Sequence, residues 1–273
     1  MPELPEIEAI ARELQKDLEG AVLSRLSVFE ETLLRNPSEV LSRRLTGARV
    51  CRTKRLGKYL GIEFASGDAI WFHFGMTGQL LWQPSSRERD PHCHLALIFD
   101  GGARTLFFRD PRRFGCILWT EAEPEQHKLL SGLGPEPLND ELSGDYLFRR
   151  SRKRTQSIKS YIMDSHTVAG VGNIYANESL FMAGINPARK AGKITRERYD
   201  KLAQSIKTVL KLALARGGTT LRDFVNGAGE PGYFRHELQV YDRAGEPCRK
   251  CKSLIKMKRL GQRSAFYCLK CQQ

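Results

Sequence analysis

Residues 168–178 read VAGVGNIYANE, and the longer stretch SIKSYIMDSHTVAGVGNIYANESLFMAGINP (157–187) sets them in context. Gly170, Gly172 and Asn173 fall between a short helix and a longer one that starts near Ile174. Such a turn directs backbone N–H groups outward at a helix N-terminus, where the helix dipole also favours negative charge, so it can seat a phosphate of DNA. Glycines in a helix-to-helix turn also occur for geometric reasons alone, and the motif needs company to carry a function.

Working outward, helical periodicity runs from Gly144 onward and is clearest over Thr195 to Ala215, with Gly217 and Gly218 closing that helix. Beyond it lie Cys248-x2-Cys251, a sixteen-residue spacer and Cys268-x2-Cys271. Each pair can wrap one side of a metal ion, and the spacer is long enough for a β-hairpin that brings the second pair back to complete a tetrahedral thiolate site. This predicts one structural zinc on Cys248, Cys251, Cys268 and Cys271, with no open position for catalysis. Arg249, Lys250, Lys252, Lys256, Lys258, Arg259, Arg263 and Lys270 crowd the same module, so its hairpin is expected to present cations to phosphates.

Toward the N-terminus the pattern changes. The runs VLSRLSVF, YLGIEF, AIWFHF, HLALIF and TLFF, separated by Gly, Asp or Ser turns, predict a β-sandwich or barrel-like domain up to about residue 120. The Pro- and Gly-rich stretch around Gly132 to Asn139 reads as the interdomain connection. The expected organisation is a first domain over 1–131, a linker over 132–143, a helical domain over 144–238 and a four-cysteine finger over 239–273. The remaining cysteines, Cys51, Cys93 and Cys116, are scattered and are expected to be buried thiols rather than a disulfide framework.

In all 273 residues there are 44 Lys and Arg against 31 Asp and Glu, a net charge of +13 that suits a polyanionic partner such as nucleic acid. No apolar run approaches a membrane span and the start lacks the form of a signal peptide, which predicts an intracellular protein with no membrane partner.

The first ten residues, MPELPEIEAI, allow two readings. Pro5 suits the first turn of a helix, Leu4, Ile7, Ala11, Leu14 and Leu18 recur at helical spacing, and acidic residues favour a helix N-terminus by about 0.3–1 kcal/mol each. Alternatively, removal of Met1 leaves the secondary amine of Pro2 as the first group of the chain. At neutral pH a model α-amino group is roughly a tenth unprotonated, against less than about one part in a thousand for lysine. Proline's own amine is somewhat more basic, which narrows that gap. An iminium formed on a secondary amine keeps its positive charge without a proton, and so acts as an electron sink for elimination.

PELPEIE at the start, GKYL around Lys58, HFGMTG at 73–78, DPRRFG at 110–115, VAGVGNIYANE and the four-cysteine finger occur in this order along nearly the whole chain. Together they resemble bacterial formamidopyrimidine-DNA glycosylases of the Fpg/Nei family. The resemblance implies an α+β protein: an N-terminal helix and β-sandwich domain, then a helix-two-turns-helix domain with a β-hairpin zinc finger. It implies a monomer that acts on damaged double-stranded DNA in the bacterial cytoplasm, associated with the nucleoid. Its activity would be that of a bifunctional glycosylase and abasic-site lyase for oxidised purines such as 8-oxoguanine and formamidopyrimidines.

The roles implied are specific. Pro2 is the nucleophile, Glu3 transfers a proton at the deoxyribose ring oxygen, Glu6 supports the nucleophile, and Lys58 contacts phosphate beside the lesion. Met76, Arg112 and Phe114 fill the space left by the extruded nucleotide. Without the resemblance, Met76 and Phe114 would read as core residues. Asn173 and Arg263 grip phosphate, and Lys159, His94 and Arg113 are further DNA contacts. A structural histidine is the alternative reading for both His73 and His94. FVNGAGEPGYFRHE (224–237) corresponds to a lesion-capping loop. Three features depart from the family pattern: Gln262, Ala265 and the Ser165-His166 pair. An endonuclease VIII-like preference for oxidised pyrimidines is disfavoured by PELPE and DPRRFG. The alternative of another class is a non-enzymatic zinc-finger DNA-binding protein.

Overall fold

A computed structural model describes residues 2–85, 88–121, 124, 127–219 and 234–273. Most of the capping-loop stretch, 224–233 of 224–237, therefore lies outside the described residues. Among the described residues the chain forms two compact units, one running up to Ser131 and the other containing Gly132–Thr219 and the chain from Phe234 to Gln273.

In the first unit, helix α1 (Leu4–Leu18) starts at Glu3 and carries proline in its first turn. Leu4, Ile7, Ile10, Ala11, Leu14 and Leu18 are all buried, which is the single apolar face that the spacing predicts. Eight strands follow: β1 (Leu23–Val28), β2 (Val50–Leu56), β3 (Tyr59–Phe64), β4 (Ala69–His73), β5 (Gln79–Pro84), β6 (Cys93–Phe99), β7 (Arg104–Arg109) and β8 (Cys116–Thr120). They form two four-stranded antiparallel sheets, ordered β1-β6-β7-β5 and β2-β3-β4-β8. One core joins Leu95, Leu97, Leu106 and Phe108 of the first sheet to Leu60, Ile62, Ile70, Phe72 and Ile117 of the second, and α1 adds Ile7 and Leu14. This is the expected sandwich.

Two features differ from the sequence reading. The strand-rich stretch also holds helix α2 (Ser38–Leu45), whose Leu41 and Leu45 lie one turn apart and enter the core. Cys51, expected to be buried, is exposed. It follows the buried Val50 on β2, where alternation points it outward. Cys93 and Cys116 are buried, and burial raises both thiol pKa values. The short helix α3 (Lys128–Ser131) ends the unit.

The second unit contains α4 (Gly144–Ser151), α5 (Ile158–Met163), α6 (Asn173–Met182), α7 (Arg196–Ala215) and the hairpin of β9 (Lys256–Leu260) and β10 (Arg263–Tyr267). Ser143, Ser157 and Thr195 cap α4, α5 and α7, each hydroxyl accepting a backbone N–H of the first turn at 3.1, 3.1 and 3.4 Å. The stretch expected as a linker runs against the α5–α6 turn: Gly134 N–H donates to Ser165 at 2.8 Å and Ala169 N–H to Pro135 at 3.1 Å. Among the described residues no helix is long and apolar enough to cross a membrane.

Candidate active site and nucleic-acid interface

The N-terminal motif folds into a reciprocal cap. The Glu6 carboxylate accepts the Glu3 backbone N–H at 2.8 Å, while the Glu3 side chain accepts from the backbone at Glu6. Both glutamates are 2% exposed and Pro2 is buried. The backbone leaving Pro2 is thus fixed by a carboxylate one helical turn later. Lys58 occupies the two-residue turn between β2 and β3, after Gly57 at φ 58°. Arg55 braces that turn, donating to the Gly57 carbonyl at 3.2 Å and to Glu8 of α1 at 2.9 Å. The Glu8–Arg55 pair therefore ties the helix carrying Pro2, Glu3 and Glu6 to the turn carrying Lys58.

His73 closes β4 with its ring 4.9 Å from that of Tyr59. Burial, and secondarily the Lys58 cation, pushes its pKa down to about 4, so the imidazole is neutral at pH 7 and its Nδ1 accepts the Gly75 N–H at 3.2 Å. Two loops project beyond this point, 74–78 and 110–115. Met76 is 36% exposed and Phe114 57%, so neither belongs to the core. The Arg112 guanidinium lies over the Phe114 ring, 4.7 Å from its centroid. Arg113 adopts φ 53° and pairs with Glu30 at 2.5 Å. His94, expected at DNA, is 3% exposed, and its Nε2 donates to the Asp110 carbonyl at 2.9 Å, so its ring supports the second loop from within.

In the second unit, Asn173 opens α6 after Gly172, and Gly170 takes φ 82° in the preceding turn. The Asn173 Oδ1 is buried, with no hydrogen-bond partner among the described residues. Arg263 opens β10 and is exposed. Lys159, expected as a DNA contact, is instead 1% exposed, and its ammonium donates to the Ser264 carbonyl at 2.9 Å. Its charge is used inside the protein, where a lone ammonium would be costly to bury. Asn177 and Glu178, quoted within the motif but given no role from sequence, do similar work. Asn177 donates to the Asn173 carbonyl at 2.6 Å and accepts the Phe266 N–H at 2.8 Å. Glu178 accepts the backbone N–H groups of Gln239, Val240 and Tyr241 at 2.8, 3.0 and 2.8 Å, and burial raises its pKa. The signal available was the polar run Asn177, Glu178 and Ser179 set between the apolar stretches of α6. Of the departures, His166 pairs its Nδ1 with the Gly132 carbonyl at 2.5 Å, Gln262 is exposed within the two-residue hairpin turn, and Ala265 is fully buried.

The four cysteine sulfurs all lie within 4.8 Å of one another, with Cys248 and Cys271 at 3.9 Å and Cys251 and Cys268 at 3.3 Å. Tetrahedral zinc with Zn–S bonds of about 2.3 Å requires sulfur separations of about 3.8 Å, so the set fits one zinc ion. Thiolates fill all four positions, and the ion's work is to hold the hairpin.

The formamidopyrimidine-DNA glycosylase N-terminal domain matches residues 1–117, the H2TH domain of the same enzymes 133–225, and the zinc finger found in FPG and IleRS 245–273. The chain is 49% identical to the formamidopyrimidine-DNA glycosylase of Methylococcus capsulatus and 46% to that of Saccharophagus degradans, covering all of each protein. Among solved structures, the MutM (FPG) protein of Thermus thermophilus superposes with a TM-score of 0.89 at 34% identity, over 99% of this chain and 98% of that one. A Lactococcus lactis FPG mutant in complex with DNA containing Fapy-dG superposes with 0.93 at 30% identity over the full length of both. Whole-chain identity, three matching domains in order and a fitting zinc site lead to one conclusion: the chain belongs to the formamidopyrimidine-DNA glycosylase family.

Proposed function

We propose that this protein is a bifunctional DNA glycosylase and abasic-site lyase that removes oxidised purines, 8-oxoguanine and formamidopyrimidines, from duplex DNA. The observation that carries the reading is the start of α1, where Pro2 is followed by a reciprocal Glu3–Glu6 cap in a buried setting. The Pro2 amine attacks C1′ of the damaged nucleotide and the bond to the base breaks. Glu3 delivers a proton to the ring oxygen as the sugar opens, leaving an iminium between Pro2 and C1′. Loss of the C2′ proton expels the 3′ phosphate, and a second elimination expels the 5′ phosphate. Glu6 holds the backbone that aims the amine, and Lys58 pairs with phosphate beside the lesion.

A base inside a duplex is out of reach, so it is extruded, and Met76, Arg112 and Phe114 occupy the space it leaves. Their projection from the surface supports this role. Asn173 and Arg263 grip phosphates from the second unit, and Arg113 adds a cation at the edge of the second loop. Lys159 serves by fixing the hairpin at Ser264, and His94 by supporting the loop at Asp110. The protein works as a monomer on damaged double-stranded DNA, in the cytoplasm at the nucleoid, with no membrane partner. End-labelled duplex carrying one 8-oxoguanine opposite cytosine tests the reading: wild type should leave phosphate on both ends of a one-nucleotide gap, and Pro2→Gly should be strongly impaired. Intact strands with wild-type protein would refute it.

A further inference from the structure

The loops carrying Met76 and Arg112–Phe114 are separated by more than thirty residues of chain, yet they meet around one fully buried side chain, Asp110. One carboxylate oxygen of Asp110 accepts the Thr77 hydroxyl at 2.5 Å, and the other accepts the Gly115 N–H at 2.7 Å. The Thr77 oxygen in turn accepts the Arg112 N–H at 3.3 Å. The main chain of Asp110 is held as well: its carbonyl accepts Arg113 N–H at 3.1 Å and His94 Nε2 at 2.9 Å, and its N–H donates to His92 at 3.0 Å.

Backbone packing between the loops points the same way. Gly75 has φ +54°, and a Cβ there would lie 2.4 Å from the Phe114 carbonyl carbon. A Cβ on Gly115 would lie 2.6 Å from the His73 carbonyl oxygen. Neither position accepts a side chain without displacing the main chain that faces it, so the start of the first loop and the end of the second are in direct contact where β4 meets β8.

Exposed apolar side chains on independent loops would fold back onto the protein, because burial of their surface is favourable. Met76 and Phe114 remain projected, and the backbone beneath them sets where they project. We propose that Asp110 is a positioning residue: with Thr77 it clasps the two loops into one rigid wedge, setting the spacing of Met76 against Arg112 and Phe114. The inference rests on the void-filling role assigned to those three residues above. A carboxylate suits the position because it accepts twice and donates nothing. An amide has one accepting oxygen where the carboxylate has two, so it either loses the Gly115 N–H bond or reverses the Thr77 bond, and in both cases the charge that strengthens the pair is gone.

The test uses full-length, zinc-loaded protein and single-turnover rates at saturating enzyme on two duplexes, one with 8-oxoguanine opposite cytosine and one with a preformed abasic site. Misplacement of a positioning element by about 1 Å can cost on the order of 100-fold. Asp110→Asn should therefore slow 8-oxoguanine excision roughly 10- to 100-fold, with abasic-site cleavage within about twofold of wild type. Thr77→Val should act in the same direction, and Thr77→Ser, which keeps the hydroxyl, should restore the rate. If Asp110→Asn does not fold, the Thr77 pair decides.

Phe114→Ala is the reference. If it shows no selectivity between the two duplexes, the void-filling reading has failed. If it is selective while Thr77→Val equals wild type, or while Asp110→Asn slows both substrates equally, the clasp is overturned. Loss of excision in Thr77→Ser as deep as in Thr77→Val would also overturn it.

Discussion

Replacing Phe114 by alanine separates lesion extraction from strand cleavage. In the free protein the ring is 57% exposed and its described ring contact is Arg112 at 4.7 Å, so truncation should change folding stability by no more than about 0.5 kcal/mol. A core phenylalanine would cost about 3–5 kcal/mol. On DNA the ring is assigned to the opened stack, where aromatic stacking contributes about 1–3 kcal/mol per base. At about 1.4 kcal/mol per factor of ten, that predicts 8-oxoguanine excision slowed roughly 5- to 150-fold. Cleavage at a preformed abasic site has no base to extract and the least unstacking to support, so it should fall much less. The assay is a pair of single-turnover rates beside a denaturant titration. Equal losses on the two substrates, or a stability loss of about 3 kcal/mol or more, would show that Phe114 is packing and refute the reasoning.

Three other outcomes follow from the same geometry. Chelation or Cys248→Ser should unfold the finger, since a structural zinc supplies about 10–16 kcal/mol to such modules, and duplex binding should weaken sharply; undiminished binding by zinc-free protein would contradict the assignment. If Lys58, Asn173, Arg263 and neighbouring cations make about six phosphate contacts, duplex affinity should fall roughly 10³-fold between 50 and 200 mM salt, and a flat dependence would count against the footprint. His73 has its pKa depressed to about 4 from an ordinary 6.5, so the unfolded chain binds the proton more readily between those values. Its contribution is complete above pH 6.5 and is lost as pH falls toward 4, a difference on the order of 3 kcal/mol. His73→Gln should therefore lose less stability than wild type between pH 7 and 4.5 in chemical denaturation, and parallel losses would refute the assignment.

The legible parts of the fold are those set by local pattern. The α1 face, the apolar runs of β1, β3, β4, β6 and β7, and the paired cysteines are each specified by residues close in sequence. Helix α2 was hidden because its eight residues carry just two core leucines, too few for a clear period. Cys51 depends on which face of β2 meets the core, and that is decided by pairing with β3 rather than by β2 itself. At the site, motif order pointed to Pro2, Glu3, Lys58 and Asn173, while burial redefined two neighbours. Lys159 reads as an available cation until Ser264, more than a hundred residues later, is placed against it. His94 likewise meets Asp110 through pairing of β6 with β7. Asn177, Glu178 and Asp110 each also hold a partner distant in the chain, Phe266, Gln239–Tyr241 and Thr77, so local spacing does not reveal what they join.

The central claim is that the chain's own proline amine becomes bonded to the sugar. Borohydride added during reaction with a duplex carrying 8-oxoguanine opposite cytosine should reduce the iminium to a stable amine, and mass spectrometry of the digested complex should place the adduct on Pro2. An adduct on a lysine such as Lys58, or undiminished trapping by protein with an N-terminal extension ahead of Pro2, would contradict the account.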